Sequence, residues 1–187
     1  MSAAGGKTYD DPYYPRLPGQ FSRAGDTFGG GVLAIAAKSV TVNGRIAADA
    51  ERIISNYEHG GAAGGTVRIV TDDIVFGENG LVSANGHDAW YGTGSTYHTG
   101  GGGGGRISVI VGFSPAKLAG LAAGNEKIIT RRMVALDQTA PDAKYAGHFS
   151  VAGGLNGHGD DQGGTDGETG TAFVIYSRDP GLQILIK

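Results

Sequence analysis

A unit of roughly 35 residues recurs in this chain, and this repetition restricts the possible folds more than any other feature. Glycine clusters open the unit at residues 29–31 and 64–65, and Gly64 follows Gly30 by 34 residues. Each cluster leads into two alternating apolar runs and then into Asn-Gly, at Asn43 and at Asn79, which are 36 residues apart. Such a period is typical of repeat proteins, in which each unit buries its apolar face against its neighbour.

Short runs inside the unit alternate apolar and polar residues, as half-buried strands do. Val40 and Val42 have polar neighbours in the first unit, and Ile46 has them in the run after Asn43-Gly44. Asn-Gly between two such runs usually marks a hairpin. Because the whole block repeats, we expect each strand to pair in parallel with its counterpart in the next unit. Gly44 would then supply the positive φ of a tight corner.

The glycine content excludes long helices. Glycine makes up 36 of 187 residues, against a usual share of about 7%, and it is unfavourable inside helices. We therefore predict an all-β fold, a short parallel β-helix or β-solenoid with glycine-rich loops. One short helix is expected near 115–123, where Ser114-Pro115 and Gly124 provide start and stop signals. The general bias of crossover connections makes the solenoid right-handed.

The whole chain, 1–187, is predicted to be one domain. Residues 1–28 are rich in aromatic residues and prolines, and we predict that they form an irregular segment that covers the exposed end of the first repeat. Two to three regular turns follow at 29–111, then an insertion at 112–145 and a last turn at 146–187. That last turn ends in an apolar strand at 182–186, which would be an uncapped end of the stack.

Charge and glycine spacing argue against nucleic-acid and nucleotide partners. The net charge is −3 and the basic residues are scattered, so a phosphate backbone has no basic patch to bind. The six glycines at 100–105 fit a dinucleotide-binding pattern, but a strand follows them and no Lys-Ser/Thr supports a phosphate loop. Since glycine clusters recur at 29–31 and 60–65, we expect extended glycine backbones that pack closely side by side.

Within the repeat, Gly-Gly-x-Val-x-Ile is followed by Asn-Gly-x-Ile-x-Ala-Asp/Asn and by a loop that ends in a glycine run and Arg-Ile. This pattern resembles the glycine-rich β-helix repeats of large bacterial secreted and cell-surface proteins. It is more loosely similar to the pectin-lyase-like superfamily and to glycine-rich phage tail adhesins. The resemblance covers 28–111 and part of 146–177. It implies an extracellular or cell-surface location and a role as adhesin, structural stalk or polysaccharide-cleaving enzyme.

Loop histidines and one acidic loop are the candidates for metal binding. The histidines occupy comparable places in successive turns, but none has a short ligand spacing, so solvated loop histidines are the favoured interpretation. The acidic loop at 160–168 is dense in the oxygen ligands that suit Ca²⁺, with a solvated turn as the favoured alternative. The candidate ligands are His59, His87, His98, His158, Asp160, Asp161 and Asp166.

Two further sets of residues could carry function. Asp72 and Asp73 lie at the corner where Lys38-Ser39 stands in the first unit, and they are candidate catalytic carboxylates or simply a polar turn. Aromatic residues on neighbouring loops suit sugar stacking or a protein interface, or else cover the side of the solenoid. These aromatic residues are Tyr57, Trp90, Tyr91 and Tyr97.

The sequence thus favours a non-catalytic extracellular structural or adhesion module, which binds a surface glycan or protein, or associates with itself end to end as a fibre. A carbohydrate-active lyase or hydrolase is the first alternative. A binding module ordered by Ca²⁺ or Zn²⁺ is the second.

Overall fold

Ten β-strands lie in the part of the chain that the structure, a computed structural model, describes. The described residues are 10–22, 27–52, 59–90, 99–113, 117, 120, 130–135, 144–157 and 164–177. The strands are Thr27–Phe28 (β1), Val32–Val42 (β2), Arg45–Ala47 (β3), Glu51–Arg52 (β4), Thr66–Phe76 (β5), Leu81–Ser83 (β6), Arg106–Val111 (β7), Thr130–Ala135 (β8), Phe149–Ser150 (β9) and Thr171–Ser177 (β10). Of the predicted helix at 115–123, only Lys117 and Gly120 are described, so that helix stays a prediction.

The strands form two main sheets that pair mostly in parallel. The larger sheet has the order β2-β5-β7-β10-β8, and all its pairs are parallel except β10-β8. The smaller sheet has the order β3-β6-β9 and is wholly parallel. A short antiparallel pair joins β1 to β4. The described chain is thus strand-rich, as the all-β prediction requires, and it contains no helix long and apolar enough to span a membrane.

The register follows the sequence period. Val32 pairs with Thr66 and Val42 pairs with Phe76, in both cases with a residue 34 positions later. Arg45 pairs with Leu81, which is 36 positions later. Strands β2 and β3 flank Asn43-Gly44 but belong to different sheets. The prediction that this Asn-Gly is not a hairpin turn is therefore confirmed, as is the parallel pairing of like with like.

The corner itself differs from the prediction. The described glycines with positive φ are Gly112 and Gly147, so the expectation of a positive φ at Gly44 is wrong. Gly44 also has open space where a Cβ would stand. Gly80, its counterpart in the next unit, is tightly packed, since an added Cβ would collide with the carbonyl group of Val42. The second corner therefore needs glycine for close approach and not for its backbone conformation.

The first two apolar runs of each unit form one strand whose inward side changes halfway. In β5, Val67 and Ile69 point into the core before the change, and Ile74 does so after it. Asp72 and Asp73 between them are both exposed, which breaks the alternation. The same change occurs in β2 at Lys38-Ser39, beside these aspartates. The strand therefore bends there, and the two runs seen in the sequence are its two halves.

The main core lies between the two sheets and is built of columns of like residues. Ile35, Ile69, Val109 and Val174 form one column across the larger sheet. Ile46, Val82 and Phe149 form the facing column in the smaller sheet. Most of these side chains are fully buried. Burial of apolar surface stabilises the fold by about 25 cal/mol for each Å² removed from water. Parallel pairing at a constant register is what places like residues over one another.

Residues 10–22 cross the outer face of the larger sheet. The backbone carbonyls of Tyr13, Pro15 and Leu17 accept hydrogen bonds from side chains on that face. The donors are Ser108 Oγ (2.6 Å), Arg68 Nη1 (3.0 Å) and Thr66 Oγ1 (2.7 Å). These donors lie on β5 and β7, which are interior strands of the sheet, so residues 13–17 pack on the face of the sheet. The expectation that the start of the chain covers the end of the first repeat stays a prediction. Thr66 and Arg68 are two residues apart on β5, and their acceptors Leu17 and Pro15 are also two residues apart, as expected for an extended backbone that crosses the sheet.

The carboxylate of Asp10 holds this segment in its folded shape. It accepts the backbone N–H groups of Arg16 (2.5 Å) and Leu17 (2.7 Å). Burial by itself raises the pKa of Asp10, but these hydrogen bonds, one from Asp11 and the charge of Arg106 together hold it below its ordinary value. The ionised carboxylate is thus the form that fits the folded segment.

Extended segments, rich in glycine in the first layer, continue both sheets as two packed layers that we call the glycine layers. The first glycine layer consists of 29–31, 60–65, 100–105 and 164–170, which lead into strands of the larger sheet. The second consists of 48–50, 84–89 and 151–155, which leave the smaller sheet. Hydrogen bonds along the first layer recur every third residue, the period of a polyproline II helix and not of a β-strand. The pairs are Gly61 N to Gly100 O, Gly64 N to Gly103 O, Gly101 N to Thr165 O and Gly104 N to Glu168 O.

The two layers touch backbone to backbone. Gly105 N donates to Ala84 O (2.7 Å) and Gly102 N donates to His87 O (3.0 Å), so the segments of the two layers run in opposite directions. A Cβ added at Gly61, Gly102 or Gly105 would approach backbone atoms of neighbouring segments more closely than 3.0 Å, which real Cβ atoms essentially never do. The close packing of glycine backbones expected from the sequence is therefore present, and it explains why these positions lack side chains.

Candidate functional site

The aspartate pair lies on the outer side of the bend in β5. Asp73 Oδ1 is 3.5 Å from Lys144 Nζ, and both side chains are more than half exposed. Lys144 is held there by Tyr145, whose buried ring contacts Phe76 in an edge-to-face arrangement. An ion pair this exposed contributes at most about 1 kcal/mol to stability. The geometry fits a polar turn, and catalysis by Asp72 or Asp73 stays a hypothesis.

Trp90 joins the two long loops that carry the candidate aromatic residues. His59 and Trp90 form an isolated antiparallel bridge, with N–H to carbonyl distances of 3.1 and 3.0 Å in the two directions. Their rings stack at 6.3 Å, the imidazole is buried and the indole is half-buried. The loops are therefore adjacent at this bridge, as the sequence suggested. The other aromatic candidates, Tyr57, Tyr91 and Tyr97, lie outside the described residues.

The described histidines contact backbone carbonyl groups. Nδ1 of His59 lies 3.3 Å from Gly60 O, and Nδ1 of His87 lies 2.7 Å from Asp88 O. No three His, Asp or Glu side chains form a metal-binding group within the ranges that the structure covers. His98 and His158 fall outside those ranges. Metal binding by these histidines stays a prediction.

Of the candidate ligands in the acidic loop, Asp166 is described, and it has a local role. Asp166 Oδ1 accepts hydrogen bonds from Asn156, at 2.7 Å from the backbone N and 2.8 Å from Nδ2. This carboxylate therefore ties two neighbouring segments of the glycine layers together. Asp160 and Asp161 are not among the described residues, so a Ca²⁺ site in this loop stays a prediction.

A ladder of Asp and Asn side chains was not recognised as a site in the sequence. Asp49 Oδ1 accepts the backbone N–H of Asn85 (2.6 Å), and Asn85 Oδ1 accepts the backbone N–H of Ala152 (2.8 Å). Asp49 Oδ2 also accepts a bond from Ser83 Oγ (2.9 Å) and pairs with Arg45. Each side chain thus links its own turn to the next. The signal was the recurring Ala-Asp/Asn at the end of the third run.

Exposed apolar side chains lie at the β2 edge of the larger sheet. Val32 is 44% exposed and Leu33 is 37% exposed. Val67 and Ile107, the next residues in the column of Leu33, are fully buried. The first rung of this core column is therefore open to solvent in the described structure. Sequence periodicity could not identify this edge, because β2 and β5 have the same pattern.

No protein-family model, no curated protein and no solved structure matches this chain. The resemblance to glycine-rich β-helix repeats accordingly rests on the sequence pattern, and functional inference rests on the geometry described above.

Proposed function

We propose that this chain is a short parallel β-solenoid that serves as a non-catalytic structural or adhesion module of an extracellular or cell-surface protein. The observation that carries the proposal is the in-register stacking of four parallel strands, β2, β5, β7 and β10. Each strand continues from a segment of the first glycine layer. Stacked units of this kind give a scaffold in which every turn supports its neighbours and loops project from one face.

The interlayer contacts support a mechanical role for the scaffold. Backbone hydrogen bonds link the glycine segments both along and between the layers, and they need no side chains that could rearrange. The Asp49 and Asn85 side chains also tie successive turns within the second layer. Such a scaffold resists shear between turns, which is the property that a stalk or adhesin requires.

The loops joined at Trp90 are the proposed binding face. The indole is half-buried against His59, so one side of the ring system is supported by the protein. A supported aromatic ring suits stacking on a sugar or packing against a protein side chain, since little conformational entropy is lost on binding. The partner would be a surface glycan or a surface protein.

A glycan array probed with the full chain tests this proposal, with a screen for cleavage of acidic polysaccharides run in parallel. We expect binding without turnover, and we expect Trp90→Ala to weaken binding at least tenfold. Phe21→Ala is the matched control, because Phe21 is an exposed aromatic residue distant in sequence from these loops. Cleavage that Asp72→Ala or Asp73→Ala abolishes would replace the proposal with the carbohydrate-active enzyme.

A further inference from the structure

Strand β2 presents an open hydrogen-bonding edge. Within the described ranges β5 is the strand that pairs with it, and β2 lies at the end of the sheet. The carbonyl of Gly31 accepts a bond from Thr66 N (2.9 Å). Because backbone direction alternates along a strand, residues 33, 35 and 37 also point their amide and carbonyl groups at β5. Residues 32, 34 and 36 therefore point theirs toward the open side.

Residues 32–37 of this edge lack the features that normally prevent strand addition. Proteins protect edge strands with lysines, prolines, bulges or short strands. β2 is 11 residues long, its segment 32–37 has neither charge nor proline, and Lys38 is its one charged residue. The edge also ends the core columns at Leu33, whose side chain remains over one-third exposed. A strand that docks here would satisfy the backbone and extend those columns.

We propose that a second copy of this chain docks on this edge, β2 against β2, as an antiparallel pair around a two-fold axis. The pattern of inward residues in β2 supports this occupant, because it reads the same in both directions from the bend. Ile35 and Ala37 precede the bend at Lys38-Ser39, and Val42 and Val40 follow it at the mirrored positions. A reversed copy thus places apolar residues opposite apolar residues on the inner face.

The pairing has a specific centre. Turning the copy around the bend sets Ile35 opposite Val42, Ala37 opposite Val40, and Lys38 opposite Ser39 of the second copy, so the two-fold axis passes between residues 38 and 39. The two copies of Ser39 then lie one residue out of direct register, at diagonal positions across the axis. Their Cα atoms should be roughly 5.5–6.5 Å apart, from the spacing of antiparallel strands and a rise of about 3.4 Å per residue. That separation lies within the range that a disulfide spans, about 4.4–6.8 Å. The chain contains no cysteine, so an introduced one reports on this pairing alone.

Analytical ultracentrifugation between about 1 µM and 1 mM tests the dimer, since so small an edge contact belongs to the weak end of protein interfaces. We expect a monomer–dimer equilibrium that Ala34→Pro shifts at least tenfold toward monomer. Proline removes the outward N–H of this edge residue and leaves the bonds to β5 intact. Ala34→Ser, which retains the N–H, is the matched control and should dimerise like the parent. Equal melting temperatures at 1 µM would show that both variants fold.

Oxidation of single-cysteine variants tests the register. Ser39→Cys should cross-link into a covalent dimer, whereas Val32→Cys should not, because the two copies of residue 32 would be roughly 44 Å apart at about 3.4 Å per residue. The proposal would be overturned by a strict monomer at 1 mM, by a dimer that Ala34→Pro leaves unaffected, or by open-ended growth. Cross-linking at residue 32 instead of residue 39 would also overturn it. It rests on the stacked scaffold of the proposed function, but the experiments separate the two, because glycan binding without turnover survives a strictly monomeric result.

Discussion

Replacement of Gly102 by alanine should destabilise the protein strongly, because an added Cβ comes closer to a backbone atom here than at any other described glycine. An added Cβ would collide with the carbonyl group of Ala62 and lie 3.0 Å from its nitrogen. All three obstructing atoms belong to the backbone, so no side chain can rotate away. Gly102 also donates to His87 O and accepts from Gly154 N, at 3.0 and 2.8 Å. The segments 60–65 and 100–105 of the first layer must separate locally to admit the methyl group.

The expected magnitude follows from three contributions. Overpacking of a tight interior costs about 1–3 kcal/mol, and weakening the two hydrogen bonds costs about 1 kcal/mol each. The lower entropy of the unfolded alanine chain offsets about 0.4–1 kcal/mol. We therefore expect a net loss of about 3 kcal/mol, which lowers the melting temperature by roughly 6–12 °C for a domain of this size.

Urea denaturation and calorimetry at low protein concentration measure this effect. Gly31→Ala and Gly44→Ala are the matched controls, since neither position has an atom within 4 Å of an added Cβ and neither has positive φ. Both controls should be neutral or should stabilise by up to about 1 kcal/mol. Equal effects of Gly102→Ala and the controls would refute the close packing of the glycine layers.

Three further predictions concern the polar contacts. Asp49→Ala should lower the free energy of unfolding, measured by urea denaturation, by about 1–3 kcal/mol, because it leaves Asn85 N and Ser83 Oγ without this acceptor. The control Asp88→Ala removes one exposed bond from Leu155 N and should lower it by about 1 kcal/mol or less, and equal losses for the two variants would contradict the ladder. The pKa of Asp10 is lowered in the folded state, so its contribution to stability is present above the ordinary value of 3.8 and is lost as the pH falls through the folded pKa. NMR signals of residues 13–17 should therefore shift at a lower pH than that at which a free aspartate titrates. Asp10→Asn should remove this transition. Melting curves with Ca²⁺, with Zn²⁺ and with a chelator should coincide if the histidine and acidic loops are solvated, and a shift of several degrees with either metal would instead support the metal-ordered module.

At the aspartate corner and in the aromatic loops, the repeat period predicts which segments are neighbours but not which side chains are in contact. The equivalence of Asp73 and Ser39 follows from the repeat period, and the register places them side by side. The ion pair with Lys144 could not be foreseen, because Lys144 lies in the irregular stretch after 111, where no repeat fixes its position. Likewise, the period predicted that the loops around His59 and Trp90 are neighbours, but the stacking of the two rings depends on packing between them.

The sequence by itself determined the parallel pairing of like strands, the inward residues of each strand and the close contact of the glycine segments. These features are local or periodic, so residue type and spacing encode them. The tertiary structure alone decided that the segment around Tyr13 crosses the middle of the larger sheet, that Gly44 needs no positive φ, and that β2 is an open edge. Each of these depends on which distant backbone groups meet, and identical repeat patterns carry no information about which copy lies at the end of the stack.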